Sequence, residues 1–301
     1  MDLEPSMKIA VRLTSIFCLT LMTVSCAAPE ARLKEEAEYL GFDRIIVQGT
    51  DFKHVVYTNK VQNKGNELHV YLDGDGTPWI NNRWISEDPT PRNPLLFRLM
   101  SLDTEQAVYL GRPCYHGFSD TPPCHSGLWT NERYSAVVIK TMAAALDHIL
   151  KPLRTKRVIL IGYSGGGTLA MLLAEQVQNL QGIVTIAGNL DIEAWSSLHG
   201  YAPLIGSKNP AQQPPLNPAL FQLHLAGGKD QNVPVSLIRP TAQHQDSAQL
   251  LLMPEFDHTC CWEEIWPMVL KNLMLHGNNP ESSTNKKALP FIYRLLSGRY
   301  I

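Results

Sequence analysis

One serine in the chain has the surroundings of an activated nucleophile. An apolar, β-branched run over residues 158–161 leads directly into a Gly-x-Ser-x-Gly pattern over residues 162–166, and a helix-forming stretch, 168–178, follows. A strand, a sharp turn and a helix would hold the hydroxyl of Ser164 clear of the backbone, beside a base, where it can attack a carbonyl carbon. The flanking glycines suit this turn because a Cβ would clash where strand and helix pack closely.

A serine nucleophile needs a histidine as its base and a carboxylate that orients the histidine. Asp230 follows an apolar segment that ends in two glycines, and His258 lies in the loop after the next apolar segment. Both come after the serine in the chain, the acid before the histidine, and each follows a predicted strand. We therefore predict Asp230 and His258 as the partners of the serine. Asp191 and Asp257 are the alternatives for the carboxylate.

The negatively charged oxygen of a tetrahedral intermediate needs two N–H donors. The amide of Gly165, next to the nucleophile, is one expected donor. The second is expected from the acidic, glycine-rich loop 73–76, so Gly74 and Asp75 are the candidates. An acidic loop of this kind could also bind calcium, but this one lacks the ligand spacing of an EF-hand. We predict no metal and no cofactor for the chain.

Predicted strands and helices alternate along the chain. Strands are expected at residues 44–47, 54–58, 67–72, 106–110, 157–161, 182–187, 220–226 and 249–253, and helices at 94–102, 132–150, 168–178, 191–200 and 262–275. The alternation predicts an α/β fold with a mostly parallel central sheet and helices on both faces. The carboxyl ends of parallel strands would bring the three predicted catalytic residues together. The longest insertion, 201–217, is short, so no large cap is predicted.

These motifs together resemble the α/β-hydrolase superfamily, over about residues 44–276. The resemblance rests on segments 162–166, 228–234 and 256–258. More narrowly, segments 71–76, 89–94, 111–114 and 258–262 are similar to those of a group of exported bacterial α/β-hydrolases without an assigned substrate. In place of the superfamily's common His-Gly at the oxyanion loop, this chain has Asp73-Gly74.

The resemblance implies the α/β-hydrolase fold and a serine hydrolase that cleaves carboxylic esters through an acyl-enzyme. In that reaction Ser164 attacks, His258 moves the proton and Asp230 orients His258. The expected partner is a small-molecule or lipid ester, and no obligate protein partner is evident. An acyltransferase on the same fold and a catalytically silent, envelope-binding lipoprotein are the alternatives.

The first residues have the pattern of an export signal. Lys8 and Arg12 are followed by an apolar stretch that is too short to span a membrane comfortably, and small residues precede Cys26. This ending resembles a bacterial lipobox, which predicts a signal peptide over residues 1–26 and lipidation of Cys26 at the periplasmic side of the cell envelope. Cleavage after Ala27 or Ala28, which would give a soluble periplasmic or secreted enzyme, is the alternative.

The rest of the chain is predicted as a tether over residues 27–40, a hydrolase domain over 41–277 and a polar linker with a C-terminal tail over 278–301. The 301 residues, 44% hydrophobic and 18% charged, are enough to bury one sizeable core. The formal net charge of −2 and the absence of a Lys/Arg cluster give no basic surface for nucleic acid.

Four cysteines remain after the predicted signal, in a compartment where disulfides persist. Cys114 and Cys124 would close a short loop rich in proline and glycine, and we predict that they are bonded. A zinc site that also uses His116 and His125 is the alternative. Cys260 and Cys261 are adjacent, so they can be bridged to each other, free or paired elsewhere. We predict the bridge between them, with a structural role.

Overall fold

An eight-stranded sheet forms the centre of the molecule. The computed structural model describes residues 28–61, 67–153 and 155–277. The sheet strands are β1 (Asp43–Gln48), β2 (Lys53–Thr58), β3 (Glu67–Leu72), β6 (Gln106–Leu110), β7 (Arg157–Tyr163), β8 (Leu180–Ile186), β9 (Phe221–Gly227) and β10 (Ala248–Met253), while β4 (Trp79–Ile80) and β5 (Trp84–Ile85) form a separate hairpin. The order across the sheet is β1-β2-β6-β3-β7-β8-β9-β10. The pairs from β6 to β10 are parallel, and β2 is antiparallel to both of its neighbours.

Helices cover both faces of this sheet. They are α1 (Pro29–Tyr39), α2 (Leu95–Ser101), α3 (Ala136–Leu150), α4 (Gly165–Leu173), α5 (Ile192–His199), α6 (Val235–Gln243) and α7 (Trp262–Gly277). Helices α3, α4 and α6 pack on one face, and α1, α2 and α7 pack on the other. Each face of the sheet has its own hydrophobic core, the first under α3, α4 and α6 and the second under α1, α2 and α7. Because side chains alternate along a strand, Val70 of β3 lies in the first core and Tyr71 lies in the second. The predicted α/β architecture is confirmed.

Two elements were not predicted from the sequence. Helix α6 contains Pro240 and begins directly after Pro234, and these prolines hid its helical pattern. The β4–β5 hairpin has strands of only two residues, too short to show an alternating pattern. Asn81 and Asn82 at its turn both have positive φ, which is typical of the tight type I′ turn.

The predicted tether is packed against the domain over its helical part. In α1, the side chains of Leu33 and Ala37 are buried in the second core, and Glu30 lies 3.6 Å from Arg44. The helix therefore adds to the fold instead of acting as a free spacer. The predicted signal peptide with Cys26, and the predicted tail after residue 277, lie outside the described residues. Within the described part of the chain, no helix combines the length and the apolar character that crossing a membrane requires.

Both predicted cysteine pairs are bonded in the structure. Cys114 and Cys124 form a disulfide across ten residues of sequence, which uses both thiols that the alternative zinc site would need. Cys260 and Cys261 are bonded to each other.

Candidate active site

The turn between β7 and α4 presents Ser164 at the carboxyl end of the sheet. Its backbone has φ 51° and ψ −120°, a conformation that residues other than glycine rarely adopt. Three backbone hydrogen bonds hold it there: its N–H donates to the carbonyl of Ile186 at 2.9 Å, and its carbonyl accepts from the amides of Gly167 at 2.9 Å and Asn189 at 3.0 Å. A Cβ on Gly166 would overlap the carbonyl of Leu72, which explains why a glycine follows at this position.

His258 lies between the serine and an aspartate. Its Nε2 is 3.0 Å from the Oγ of Ser164, and its Nδ1 is 2.8 Å from Oδ2 of Asp230. Since an ionised carboxylate only accepts hydrogen bonds, Nδ1 carries the proton and Nε2 is left to accept the proton of the serine hydroxyl. This arrangement suits a base that acts on Ser164.

The loop after β9 fixes the carboxylate of Asp230. Its Oδ1 accepts hydrogen bonds from the amides of Asn232 and Val233, both at 2.8 Å. The side chain of Asp230 is fully buried, whereas that of His258 is 17% exposed. The acid is therefore enclosed and rigid, and the histidine faces the space that a substrate would enter.

A second loop, after β10, carries His258 and is anchored at both sides of it. Oδ1 of Asp257 accepts from the amides of Thr259 at 2.8 Å and Cys260 at 2.6 Å, and these donors lower the pKa of Asp257. The fully buried Trp262 donates from its indole nitrogen to the carbonyl of His258 at 3.1 Å. The bridged cysteines thus lie inside a turn that is already held by hydrogen bonds.

The two alternative acids have other partners. Asp191 accepts from the amide of Ala194 at 3.1 Å as the N-cap of α5, and from the side chain of Asn209 at 2.9 Å. Asp257 caps its own turn. Of the three candidate carboxylates, that of Asp230 is the one hydrogen-bonded to His258.

The amides expected to bind the oxyanion differ in whether they already have a hydrogen-bond acceptor. Gly165 is the first residue of α4, and the first amides of a helix have no partner within the helix, so its N–H is free to meet an anion. The N–H of Gly74 instead donates to Oδ1 of Asp73 at 2.7 Å, which differs from the expectation for this amide. The short acidic side chain of Asp73 captures its neighbour's N–H. Asp75 is left as the candidate for the second donor.

The carboxylate of Asp75 is the centre of a cluster of buried arginine and tyrosine side chains. It accepts from Arg112 and Arg133, each at 2.8 Å, and from the hydroxyl of Tyr134, while Tyr115 donates to its main-chain carbonyl at 2.9 Å. Burial alone would raise the pKa of Asp75, but the two guanidinium groups outweigh it and lower the pKa. The cluster holds the oxyanion loop through both the side chain and the main-chain carbonyl of Asp75.

This cluster is not apparent from the sequence. Arg112 lies in one of the segments that resemble the exported hydrolases, but no local pattern pairs its guanidinium with a carboxylate 37 residues earlier in the sequence. The two arginines and two tyrosines lie in separate segments of the sequence and meet around Asp75 only in the folded chain.

Asp73 has a different environment from Asp75, although one residue separates them. It accepts from the Tyr109 hydroxyl at 3.2 Å and from Gly74, and its closest arginine, Arg112, bonds to its main-chain carbonyl at 3.4 Å. Burial raises the pKa of Asp73 to about 6, against the opposing effect of these groups. Its charge therefore changes between mildly acidic and neutral pH.

A cavity of about 990 Å³ opens above Ser164 and His258. The oxyanion loop, the β4–β5 hairpin, the segment from Ser126 to Arg133 and the chain after α5 surround it. Four large side chains at its mouth are between 41% and 74% exposed, namely Trp79, Ile85, Tyr201 and Ile205. A solute can therefore reach the serine from the surface.

Comparisons with known proteins agree with this architecture. Residues 93–214 match the family model described as the alpha/beta hydrolase fold. No curated protein is similar enough in sequence to be counted as a relative.

Solved structures with a similar fold are numerous. Proline iminopeptidase from Mycobacterium smegmatis is 12% identical, with a TM-score of 0.59 over 78% of this chain and 98% of that one. Est1E from Butyrivibrio proteoclasticus, with ferulic acid bound, is 12% identical, with a TM-score of 0.56 over 77% and 98%. The esterase PF2001 from Pyrococcus furiosus is 13% identical, with a TM-score of 0.56 over 79% and 93%. At these identities the likeness shows the fold alone.

Proposed function

We propose that this chain, which has the α/β-hydrolase fold and matches that family model over residues 93–214, is a serine hydrolase that cleaves carboxylic esters through an acyl-enzyme. The observation that carries the proposal is the continuous line of hydrogen bonds from Ser164 through His258 to Asp230, beneath an accessible cavity. Two of the structural neighbours support the ester bond as the target, since one is named an esterase and the other holds a carboxylic acid.

In the proposed reaction, Oγ of Ser164 attacks the ester carbonyl while Nε2 of His258 accepts its proton. Asp230 keeps the imidazole in the required tautomer and stabilises its positive charge. The amides of Gly165 and Asp75 would bind the oxygen as it becomes negative. His258 then protonates the departing alcohol. Water attacks the acyl-enzyme by the same route, with the proton passing through His258 again, and releases the acid.

The experiment compares ester turnover by the wild type, Ser164→Ala and Ser101→Ala. Ser101 is an exposed serine at the end of α2 and serves as the matched control. We expect Ser164→Ala to lose roughly 10⁴-fold or more in turnover of p-nitrophenyl acetate, and Ser101→Ala to stay within twofold. Ester hydrolysis that survives in Ser164→Ala would contradict the proposal.

Product analysis separates this function from its alternatives. A hydrolase releases one free acid for each alcohol, whereas an acyltransferase accumulates an acylated acceptor when alcohols are present. A parallel assay with a prolyl p-nitroanilide tests the peptidase activity that the name of one structural neighbour suggests. A silent scaffold would give none of these products.

We further propose that the enzyme works on the periplasmic side of a bacterial envelope, held by a lipid on Cys26. The support is the signal-like pattern with its lipobox, together with two disulfides, which persist in oxidising compartments. Detergent partitioning of the full chain tests this. The wild type should enter the detergent phase and Cys26→Ser should not, whereas equal partitioning into water would support the soluble alternative.

A further inference from the structure

More than half of the large apolar side chains that are exposed in the described part of the chain lie on two segments beside the cavity. Eleven large apolar side chains are exposed among the described residues, and six of them lie on two segments: Trp79, Trp84 and Ile85 on the hairpin, and Leu198, Tyr201 and Ile205 at and after the end of α5. Four of these six line the cavity. Exposed apolar groups that cluster beside a site, instead of being scattered, indicate contact with an apolar ligand.

One segment holds both of these apolar walls in place. At the base of the hairpin, the indole of Trp129 donates to the carbonyl of Ser86 at 3.1 Å. On the other wall, Asn131 donates to the carbonyl of Ile205 at 3.1 Å, and Lys208 donates to the carbonyl of Tyr134 at 3.0 Å. Both walls are therefore held by segment 129–134, which also supplies Arg133 and Tyr134 to the Asp75 cluster. A ligand that contacts both would find its surface already formed.

The mouth also has a polar part. Asn82, Arg92 and Asn93 line the same cavity and are exposed. A short ester such as an acetate would reach Ser164 without using either the apolar walls or these polar groups. An amphipathic ester, with a long apolar chain and a polar head, would use both.

We propose that the preferred substrate class is an acyl lipid ester, whose apolar chain lies between the two walls, in contact with Trp79 and Ile85 on one side and with Tyr201 and Ile205 on the other. This inference rests on the proposed function, because it names the substrate of the same site. Burial of each added methylene should raise kcat/KM by roughly two- to fourfold as long as the chain lies against a wall.

The first test measures kcat/KM for p-nitrophenyl acetate, butyrate and octanoate. We expect the octanoate-to-acetate ratio of the wild type to be at least about tenfold, and to fall about fivefold in Trp79→Ala or Ile205→Ser. The matched control is Tyr39→Ala, since Tyr39 is 85% exposed on α1 and is absent from the cavity lining. Its ratio should equal that of the wild type. A flat or falling chain-length profile, or equal ratios in all variants, overturns the inference.

A binding measurement separates this inference from the proposed function. Ser164→Ala protein is titrated with monooctanoylglycerol and with glycerol, and tryptophan fluorescence reports binding. We expect saturable binding of the octanoyl ester only, weakened about fivefold by Ile205→Ser. If this binding is found but no ester is hydrolysed, the lipid site stands and the proposed chemistry fails. If Ser164-dependent acetate hydrolysis is found without octanoyl binding, the proposed function stands and the inference fails.

Discussion

Two histidines of this molecule each hydrogen-bond an aspartate, at opposite ends of the same parallel sheet. His258 lies at the carboxyl ends of the strands, 2.8 Å from Asp230, with a serine hydroxyl on its other nitrogen. His69 lies near the amino end of β3, 2.6 Å from Asp103, with the carboxylate of Glu67 at 3.0 Å on its other nitrogen. The side chain of His69 is 1% exposed, and that of His258 is 17% exposed.

The second partner decides what each imidazole can do. Burial alone would lower the pKa of His69, but the hydrogen bonds to Asp103 and Glu67 and their charges raise it to about 9. An imidazole that holds its proton between two acids is a structural cation and has no nucleophile to activate. His258 has an acid on one side and a hydroxyl in an accessible cavity on the other. A His–Asp pair therefore becomes a catalytic candidate through the group on its second nitrogen and through the access of a substrate to that group.

The His69 network extends into both neighbouring elements. Asp103 also accepts from the hydroxyl of Tyr71 at 2.6 Å, and Tyr71 in turn accepts from the indole of Trp266 at 3.2 Å. Glu67 lies 2.8 Å from Arg157 at the start of β7. These contacts join β3, β7 and α7, so we expect this region to contribute to stability and not to turnover.

The largest effect should come from removing the base. His258→Gln should lower kcat by roughly 10⁵-fold, because no group would then accept the proton of Ser164 during the attack. The free energy of unfolding should change little, since His258 lies at the cavity and not in a core. His69→Gln is the matched variant for this comparison and should retain the kcat of the folded enzyme. A large loss of kcat in folded His69→Gln would break the distinction between the two regions.

The next largest effect concerns the orienting acid. Asp230→Asn should lower kcat by about 10⁴-fold, because an amide in this position no longer fixes the tautomer of His258. Asp191→Asn, which alters a helix cap, should leave kcat near that of the wild type and affect only stability. Steady-state kinetics of both variants check this. A crippled Asp191→Asn beside an active Asp230→Asn would reverse the assignment.

The buried pair should show its effect in stability. His69→Gln should lower the free energy of unfolding by about 3–5 kcal/mol at pH 6, because the buried carboxylate of Asp103 loses its cation and that of Glu67 keeps only Arg157. Urea denaturation of both proteins measures this difference.

The sign of the pH dependence follows from the raised pKa of His69. Its stabilisation is fully present below pH 6.5, the ordinary value, and is lost as pH rises through about 9. The difference in free energy of unfolding between wild type and His69→Gln should therefore shrink from pH 6 to pH 9.5. A difference that grows over this range would contradict the charged state of His69.

The smallest effect is expected from the bridged cysteines beside His258. Replacing Cys260 and Cys261 by serine should lower the melting temperature by a few degrees and kcat by less than about tenfold, because Asp257 and Trp262 still hold the loop. Thermal melts and kinetics of the double variant measure both. Loss of activity without a change in melting temperature would mean that a thiol takes part in the chemistry.

The sequence predicted the parts of the site that have local signals. Ser164 follows a buried strand and lies between glycines, and Asp230 and His258 each follow a strand in the expected order. Chain order and strand ends suffice to place such residues at one end of a parallel sheet. The strands themselves were predicted to within a few residues because their apolar runs are continuous.

Contacts between distant segments could not be predicted in this way. The sequence gives no sign that His69 meets Asp103, or that Asp75 meets Arg112 and Arg133, because these partners lie 34 to 58 residues apart. The hydrogen bond from the amide of Gly74 to Asp73 depends on the rotamer of the Asp73 side chain, which the sequence does not specify.

Covalent labelling shows which residue of the folded enzyme is the nucleophile, and we predict that it is Ser164. The protein is treated with a fluorophosphonate at neutral pH, digested and examined by mass spectrometry. We expect one phosphonylated peptide, which contains Ser164, and no labelling of Ser164→Ala or of His258→Gln on the same timescale. Labelling at another residue, or labelling that persists in Ser164→Ala, would contradict the account.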